Sequence, residues 1–252
     1  MSLYCFGSAH GSPGVTTTLL AVAGVWPEDR RVLLVEADPS GGMLAARLGL
    51  SDTPGVVSLA AAARRGVDWE LVSRHAQQIP GGVPVLVAPP SPEHTRAALG
   101  DLAGPLAAWC AGEGDVDVLV DRGRLSPDPP TLPLIRSADR MLVLVRPTVD
   151  QLRPAAVRVK ALTDSHAGLL LVGDTPYGPG EVEEAFGIAV VGAIAWDPQT
   201  AETLAGGGRG NDVRRTVLVR SAASLTDLLT QADTETHDGL PSSQLETGWR
   251  VS

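Results

Sequence analysis

Short apolar runs alternate along the chain with longer amphipathic stretches, the pattern of parallel strands joined by crossover helices. Strands are expected at Leu3–Phe6, Val32–Glu36, Val83–Ala88, Val116–Asp121, Arg140–Val145, Gly168–Val172 and Ala189–Ala193. Several are apolar at both alternating positions, which places them in a sheet covered by helices on both faces. Helix starts are marked by their capping chemistry. Ser91-Pro92-Glu93 and Asp197-Pro198 each set a capping side chain before proline at the first helical position. Asp150 reads as the cap of a helix over Gln151–Thr163, with Pro154 in its tolerant first turn, and the last helix reads as Ala222–Ala232. Leu125–Pro133, with four prolines, reads as an exposed loop. No internal repeat and no linker interrupts the pattern. The expectation is one α/β domain over 1–232, then a disordered polar tail over 233–252.

Composition narrows the class. A chain of 252 residues with 44% hydrophobic content buries a sizeable core. Its net charge of −9 argues against a polycation built for nucleic acid, although a local arginine patch at Arg209, Arg214, Arg215 and Arg220 leaves DNA as a possible partner. Cys5 and Cys110 lie in apolar segments and read as reduced core thiols, so a cytoplasmic setting is expected. Met1–Phe6 has no basic region of the secretory kind, and no apolar run approaches the ~18 residues that span a bilayer. One count changes the chemistry. Of the 20 Lys plus Arg, only Lys160 is lysine. Any reaction that needs a lysine uses Lys160 or does without.

The first expected strand runs into Gly7-Ser8-Ala9-His10-Gly11-Ser12-Pro13-Gly14-Val15-Thr16-Thr17-Thr18, followed by an apolar helix expected over Leu19–Val25. A strand, a glycine-rich turn and a helix aim backbone N–H groups and a helix N-terminus at phosphate. A hydroxyl at the start of that helix suits Mg²⁺.

In these residues the chain resembles the ParA/MinD family of deviant Walker A ATPases, over roughly residues 1–230. That family's loop reads Lys-Gly-Gly-Val-Gly-Lys-Thr-Thr, where this chain has His10-Gly11-Ser12-Pro13-Gly14-Val15-Thr16-Thr17. The family's intermolecular lysine falls on His10 and its general phosphate-loop lysine on Val15. Three further segments carry the resemblance. Val32–Gly42 is similar to the second strand and its loop, with Glu36 and Asp38 at the two acidic positions. Asp115–Asp121 is similar to the Walker B strand, and Ala138–Pro147 to the strand after it. The resemblance implies a three-layer P-loop fold, with a mostly parallel sheet of about seven strands and helices on both faces.

It also implies a site. ATP or ADP with Mg²⁺ would lie on His10, Gly11, Ser12, Pro13, Gly14, Val15, Thr16 and Thr17. Thr16, Asp38 and Asp121 would serve the metal, and Asp38 would position the attacking water. Asp174, after the Gly168–Val172 strand, falls where relatives contact the base, and Ala193–Pro198 is similar to the family's base loop. Without its lysines the loop offers phosphates only backbone N–H groups, the helix dipole and Mg²⁺. Arg122, Arg124 and Arg146 fall on the ligand edge of such a sheet and are candidate replacements. Two functions follow. One is a dimeric positioning or assembly protein, similar to the TadZ/CpaE-like branch of pilus and secretion systems, with weak nucleotide binding and little hydrolysis. The other is an active ParA/MinD-type ATPase, of the kind that partitions DNA, that uses His10 or an arginine in place of the lysines. The tail holds Arg250 as its only arginine, so it does not read as a basic membrane-docking helix.

Overall fold

The computed structural model describes residues 1–11, 13–112, 114–162, 166–173, 175–207 and 213–237. Ser12, Asp174 and Arg209, singled out above, lie outside the described residues. The strands are β1 (Leu3–Ser8), β2 (Arg31–Glu36), β3 (Gln77–Gln78), β4 (Pro84–Leu86), β5 (Val116–Arg124), β6 (Arg140–Val145), β7 (Ala167–Val172) and β8 (Val190–Ile194). They form one eight-stranded sheet in the order β3-β4-β2-β5-β1-β6-β7-β8. Every pairing is parallel except that of β3 with β4. The seven expected strands are all present; β3, at two residues, is too short to show a period.

Among the described residues, ten α-helices flank the sheet: α1 (Val15–Ala23), α2 (Leu44–Leu48), α3 (Val56–Ala62), α4 (Trp69–His75), α5 (Pro92–Cys110), α6 (Leu132–Arg136), α7 (Val149–Lys160), α8 (Pro179–Phe186), α9 (Pro198–Glu202) and α10 (Val217–His237). The sheet's period-2 alternation divides the core. Leu3, Cys5, Val118, Val120, Met141 and Val143 face α3–α8. Tyr4, Phe6, Leu119, Leu142, Leu144 and Leu170 face α1, α2 and α10. This is the three-layer α/β architecture expected from the sequence.

The local chemistry explains most helix starts. Ser91 caps α5 by accepting from the His94 amide (3.3 Å), and Asp197 caps α9 by accepting from Thr200 (3.1 Å). Several expectations are corrected. Thr148, not Asp150, precedes α7, and Asp150 sits in its first turn. Val149 has entered the helix, and an acidic residue one turn in serves the dipole equally well. Helix α1 begins at Val15, four residues earlier than expected, because Gly14 ends the loop with φ of 103°. The proline-rich segment is only partly exposed: Leu125 and Thr131 are buried, and α6 starts inside it at Leu132. Helix α10 starts at Val217 and continues to His237, so 233–237, read as the start of a tail, are helical. Among the described residues no helix is long and apolar enough to cross a membrane.

Candidate functional site

The carboxyl ends of β1, β2 and β5 meet in one row. Phe6 pairs with Asp121 and Asp121 with Glu36, while the Ala37 amide donates to the Asp121 carbonyl at 2.6 Å. In a parallel sheet, the loops leaving such a row form the ligand crevice. Here those loops are 9–14, 37–43 and the end of β5.

The first loop carries two left-handed glycines, Gly11 (φ +67°) and Gly14 (φ +103°). They leave the backbone without side-chain cover just before the α1 N-terminus. Pro13 is buried, and His10 is exposed. Val15 is 8% exposed and packs in the α1-side core, so the residue expected at the lysine position supports the helix. Lys160, at the far end of α7, is exposed. Seven of the expected loop residues are thus gathered at one helix start, with Ser12 outside the described residues.

Thr16, in the first turn of α1, donates its hydroxyl to Asp121 Oδ2 at 2.6 Å. Asp121 is buried and also accepts from the Gly123 amide at 3.0 Å. Burial pushes its carboxyl up to about 6; the Thr16 and Gly123 bonds oppose this, and the charges of Glu36 and Asp38 add to it. Glu36 has a different task from its position in the acidic pair. Its buried carboxylate accepts from the amides of Met43 (2.6 Å), Leu44 (2.9 Å) and Ala88 (2.9 Å), tying the loop after β2 to the segment after β4. Burial raises its pKa too, against those three bonds. Asp38 is only partly buried and accepts from the Ser40 amide at 2.8 Å.

Gly123 seats Asp38. It has φ of +63°, and a Cβ at that position would overlap the Asp38 carboxyl. The contact has a weak signal in the sequence: a glycine between two arginines just past an acidic strand end. The left-handed residue also separates its neighbours. Arg122 turns to the α3–α8 face, its Cγ 3.0 Å from where a Gly7 Cβ would lie. It is 1% exposed, and among the described residues its Nε and Nη2 have no hydrogen-bond partner. Burial lowers its pKa, with Cys5 and Asp38 opposing; burial likewise pushes the Cys5 thiol up to about 12 despite the arginine. Arg124 goes the other way, donating from Nη2 to the Gly11 carbonyl at 3.3 Å. Arg146 lies over the Trp196 ring, 3.9 Å from its centroid. The three candidate arginines therefore end in three different environments, and among the described residues only Arg124 bonds the loop.

A cavity of about 190 Å³ adjoins the loop, lined by Pro13, Gly14, Thr17, Trp196, Asp197 and Leu218. The expected base-loop residues border it. A larger groove of about 1060 Å³, with Trp26, Trp69 and Arg214, lies beyond the opposite, amino-terminal ends of β2 and β4 and shares no residue with the phosphate loop. The hydroxyl and carboxylates of Thr16, Asp121 and Asp38 are hard oxygen donors of the kind Mg²⁺ prefers. Among the described residues no group of three or more His, Cys, Asp or Glu forms a metal cage of its own. That set fits an ion held mostly by phosphates and water, as Mg²⁺ usually is.

Comparison with solved structures returns the same fold. MinD from Pyrococcus horikoshii, complexed with Mg-ADP, superposes with a TM-score of 0.71 at 17% identity, over 92% of this chain and 98% of that one. A ParA family ATPase from Chlorobium tepidum gives 0.69 at 17% identity, over 89% and 98%. The MinC:MinD cell division complex of Aquifex aeolicus gives 0.65 at 14% identity, over 97% and 99%. No protein-family model and no curated protein matches the sequence. The fold is that of ParA/MinD P-loop ATPases.

Proposed function

We propose that this chain is a ParA/MinD-like positioning or assembly protein that binds ATP or ADP with Mg²⁺ through a weakened phosphate loop. It hydrolyses nucleotide slowly or not at all and acts by dimerising and by holding a protein partner. The observation that carries the reading is the Thr16–Asp121 contact of 2.6 Å beside a loop whose lysine position is a buried valine. The metal-side chemistry is kept; the phosphate-side cation is not. Gly11–Thr17 supply backbone donors and Thr16 a metal ligand, with Asp121 holding water on Mg²⁺ and Asp38 facing the terminal phosphate. Similar folds with named nucleotide and partner, MinD with Mg-ADP and MinD with MinC, support both halves of the reading.

Dimerisation would use the carboxyl face of the sheet. Met43, Val149, Tyr177 and Trp196, large apolar residues exposed to solvent, all lie on segments that follow the carboxyl ends of strands. The partner is placed in a cytoplasmic pilus, secretion or cell-organisation apparatus, by the resemblance to the TadZ/CpaE-like branch. One observation favours a second reading, an active ATPase that partitions DNA: Asp38 remains beside Asp121, and Arg214 and Arg215 are exposed together in the turn 213–215 before α10.

Mg-ATP turnover together with a nucleotide-binding titration separates the two. Binding without turnover supports the first reading and removes the second. Steady turnover that Asp38→Ala abolishes removes the first.

A further inference from the structure

We propose that Arg124 is the cation of this phosphate loop, delivered from the end of β5 to the place a loop lysine would serve. The proposal rests on the nucleotide-binding reading above and names the residue that makes such binding workable.

The other basic side chains near the loop are excluded by where they lie. Val15 has replaced the loop lysine and is buried in the core. Arg122 is beneath the sheet, with its stem packed on Gly7 and Met141. Arg146 is stacked on Trp196. Lys160 is eleven residues from the start of α7, about 16 Å along the helix. His10 belongs to the loop but, among the described residues, its ring holds no bond to it, whereas an arginine does. Among the described residues, Arg124 is the basic side chain that bonds the loop, with Nη2 3.3 Å from the Gly11 carbonyl.

Its delivery is built into the backbone. The register between β1 and β5 shifts past Phe6, so that Ser8 pairs with Arg124 and the Leu125 amide donates to the Ser8 carbonyl at 2.8 Å. Gly123, left-handed and seated against Asp38, turns the chain between the two arginines. Arg124 is also electrically free for a ligand. Its bond is to a neutral carbonyl, and among the described residues it forms no ion pair. Glu36, Asp38 and Asp121 lie at the same strand ends, where burial first and the two neighbouring carboxylates second hold the Asp121 carboxyl above its ordinary range. An arginine that bonds only a neutral carbonyl keeps its charge for phosphate once a nucleotide enters.

The geometry also orders the ligand. The cavity at Gly14, Thr17 and Trp196 lies at the helix end of the loop, and Gly11 with Arg124 at the other. A nucleotide with its base in that cavity carries its phosphates along the loop toward Arg124. The guanidinium then grips the terminal phosphates, where its planar fork suits bidentate contact, and leaves the first phosphate to the helix N-terminus.

The test is titration of the full chain with Mg-ATP, Mg-ADP and AMP, in the native protein and in Arg124→Ala, Arg124→Lys and Lys160→Ala. Arg124→Ala is expected to weaken Mg-ATP on the order of 10- to 100-fold with AMP affinity unchanged, since AMP does not reach the guanidinium. Arg124→Lys recovers part of the loss, and Lys160→Ala changes nothing. Thermal melts without ligand establish that each variant is folded. Arg124→Ala binding Mg-ATP within threefold of the native chain overturns the proposal and leaves the nucleotide reading standing, as does an equal loss for AMP. A native chain that binds none of the three overturns both.

Discussion

Arg122 offers the sharpest stability measurement in this protein, through Arg122→Met. The side chain is 1% exposed, and among the described residues Nε and Nη2 have no partner. An unsatisfied buried donor costs about 1–3 kcal/mol, so the two together cost about 2–6 kcal/mol. Methionine lays the same unbranched stem across Gly7 and beside Met141 without those donors. It is three heavy atoms smaller; a void of roughly 60 Å³ at about 24 cal/mol per Å³ returns about 1.5 kcal/mol of the gain. Loss of the guanidinium's attraction to Asp38 returns a little more. The expected net is a stabilisation of about 1–4 kcal/mol, the range found when buried charges are replaced by apolar residues of similar shape. Urea unfolding followed by circular dichroism measures it as a higher midpoint at unchanged slope. The melting temperature should rise by about 2–4 °C per kcal/mol for a domain of this size. A midpoint lowered by 1 kcal/mol or more would refute the reasoning, because it would mean that the guanidinium is well satisfied where it lies.

At the other end of the sheet, Asp117 accepts from the Ser2 amide (3.0 Å), Trp26 Nε1 (3.1 Å) and Arg30 Nε and Nη2 (2.6 and 2.9 Å). Asp117→Ala strands those donors and should cost about 3 kcal/mol, the low end for a broken buried pair because Arg30 still reaches water, as chemical denaturation would show. Gly123→Ala should lose at least the ~1–2 kcal/mol of a left-handed alanine and displace Asp38; an unchanged melting temperature would contradict the seating described here. Asp121 gives a pH signature. Its folded pKa of about 6 lies above the ordinary 3.8, so its contribution to stability is full below about pH 4 and is lost as pH rises through 6. Unfolding free energy measured from pH 4 to 7 should fall through this window, and Asp121→Asn should flatten the fall, with Glu36 adding a smaller slope of the same sign.

The strands, the sheet's burial on both faces and the glycine turn into α1 were legible because periodicity and glycine placement are local properties. Capping at Ser91 and Asp197 was legible for the same reason. Helix α1 was misplaced by four residues because Val15–Thr18 is β-branched throughout and looks unlike a helix start; Gly14's left-handed turn starts the helix there in spite of it. Glu36 read as half of an acidic pair, yet its carboxylate is held by amides from two distant segments, and sequence does not show which amides will converge.

The lysine count, by contrast, needed no structure. With lysine only at 160, the amino-acid sequence alone determined that the glycine-rich turn before α1 carries no lysine. It also set three arginines at the ligand edge. Which of them bonds the turn before α1 was decided only by the tertiary structure. In an ordinary strand Arg122 and Arg124, two residues apart, would share a face. Gly123, left-handed against Asp38, breaks that alternation, burying one guanidinium under Gly7 and laying the other on Gly11.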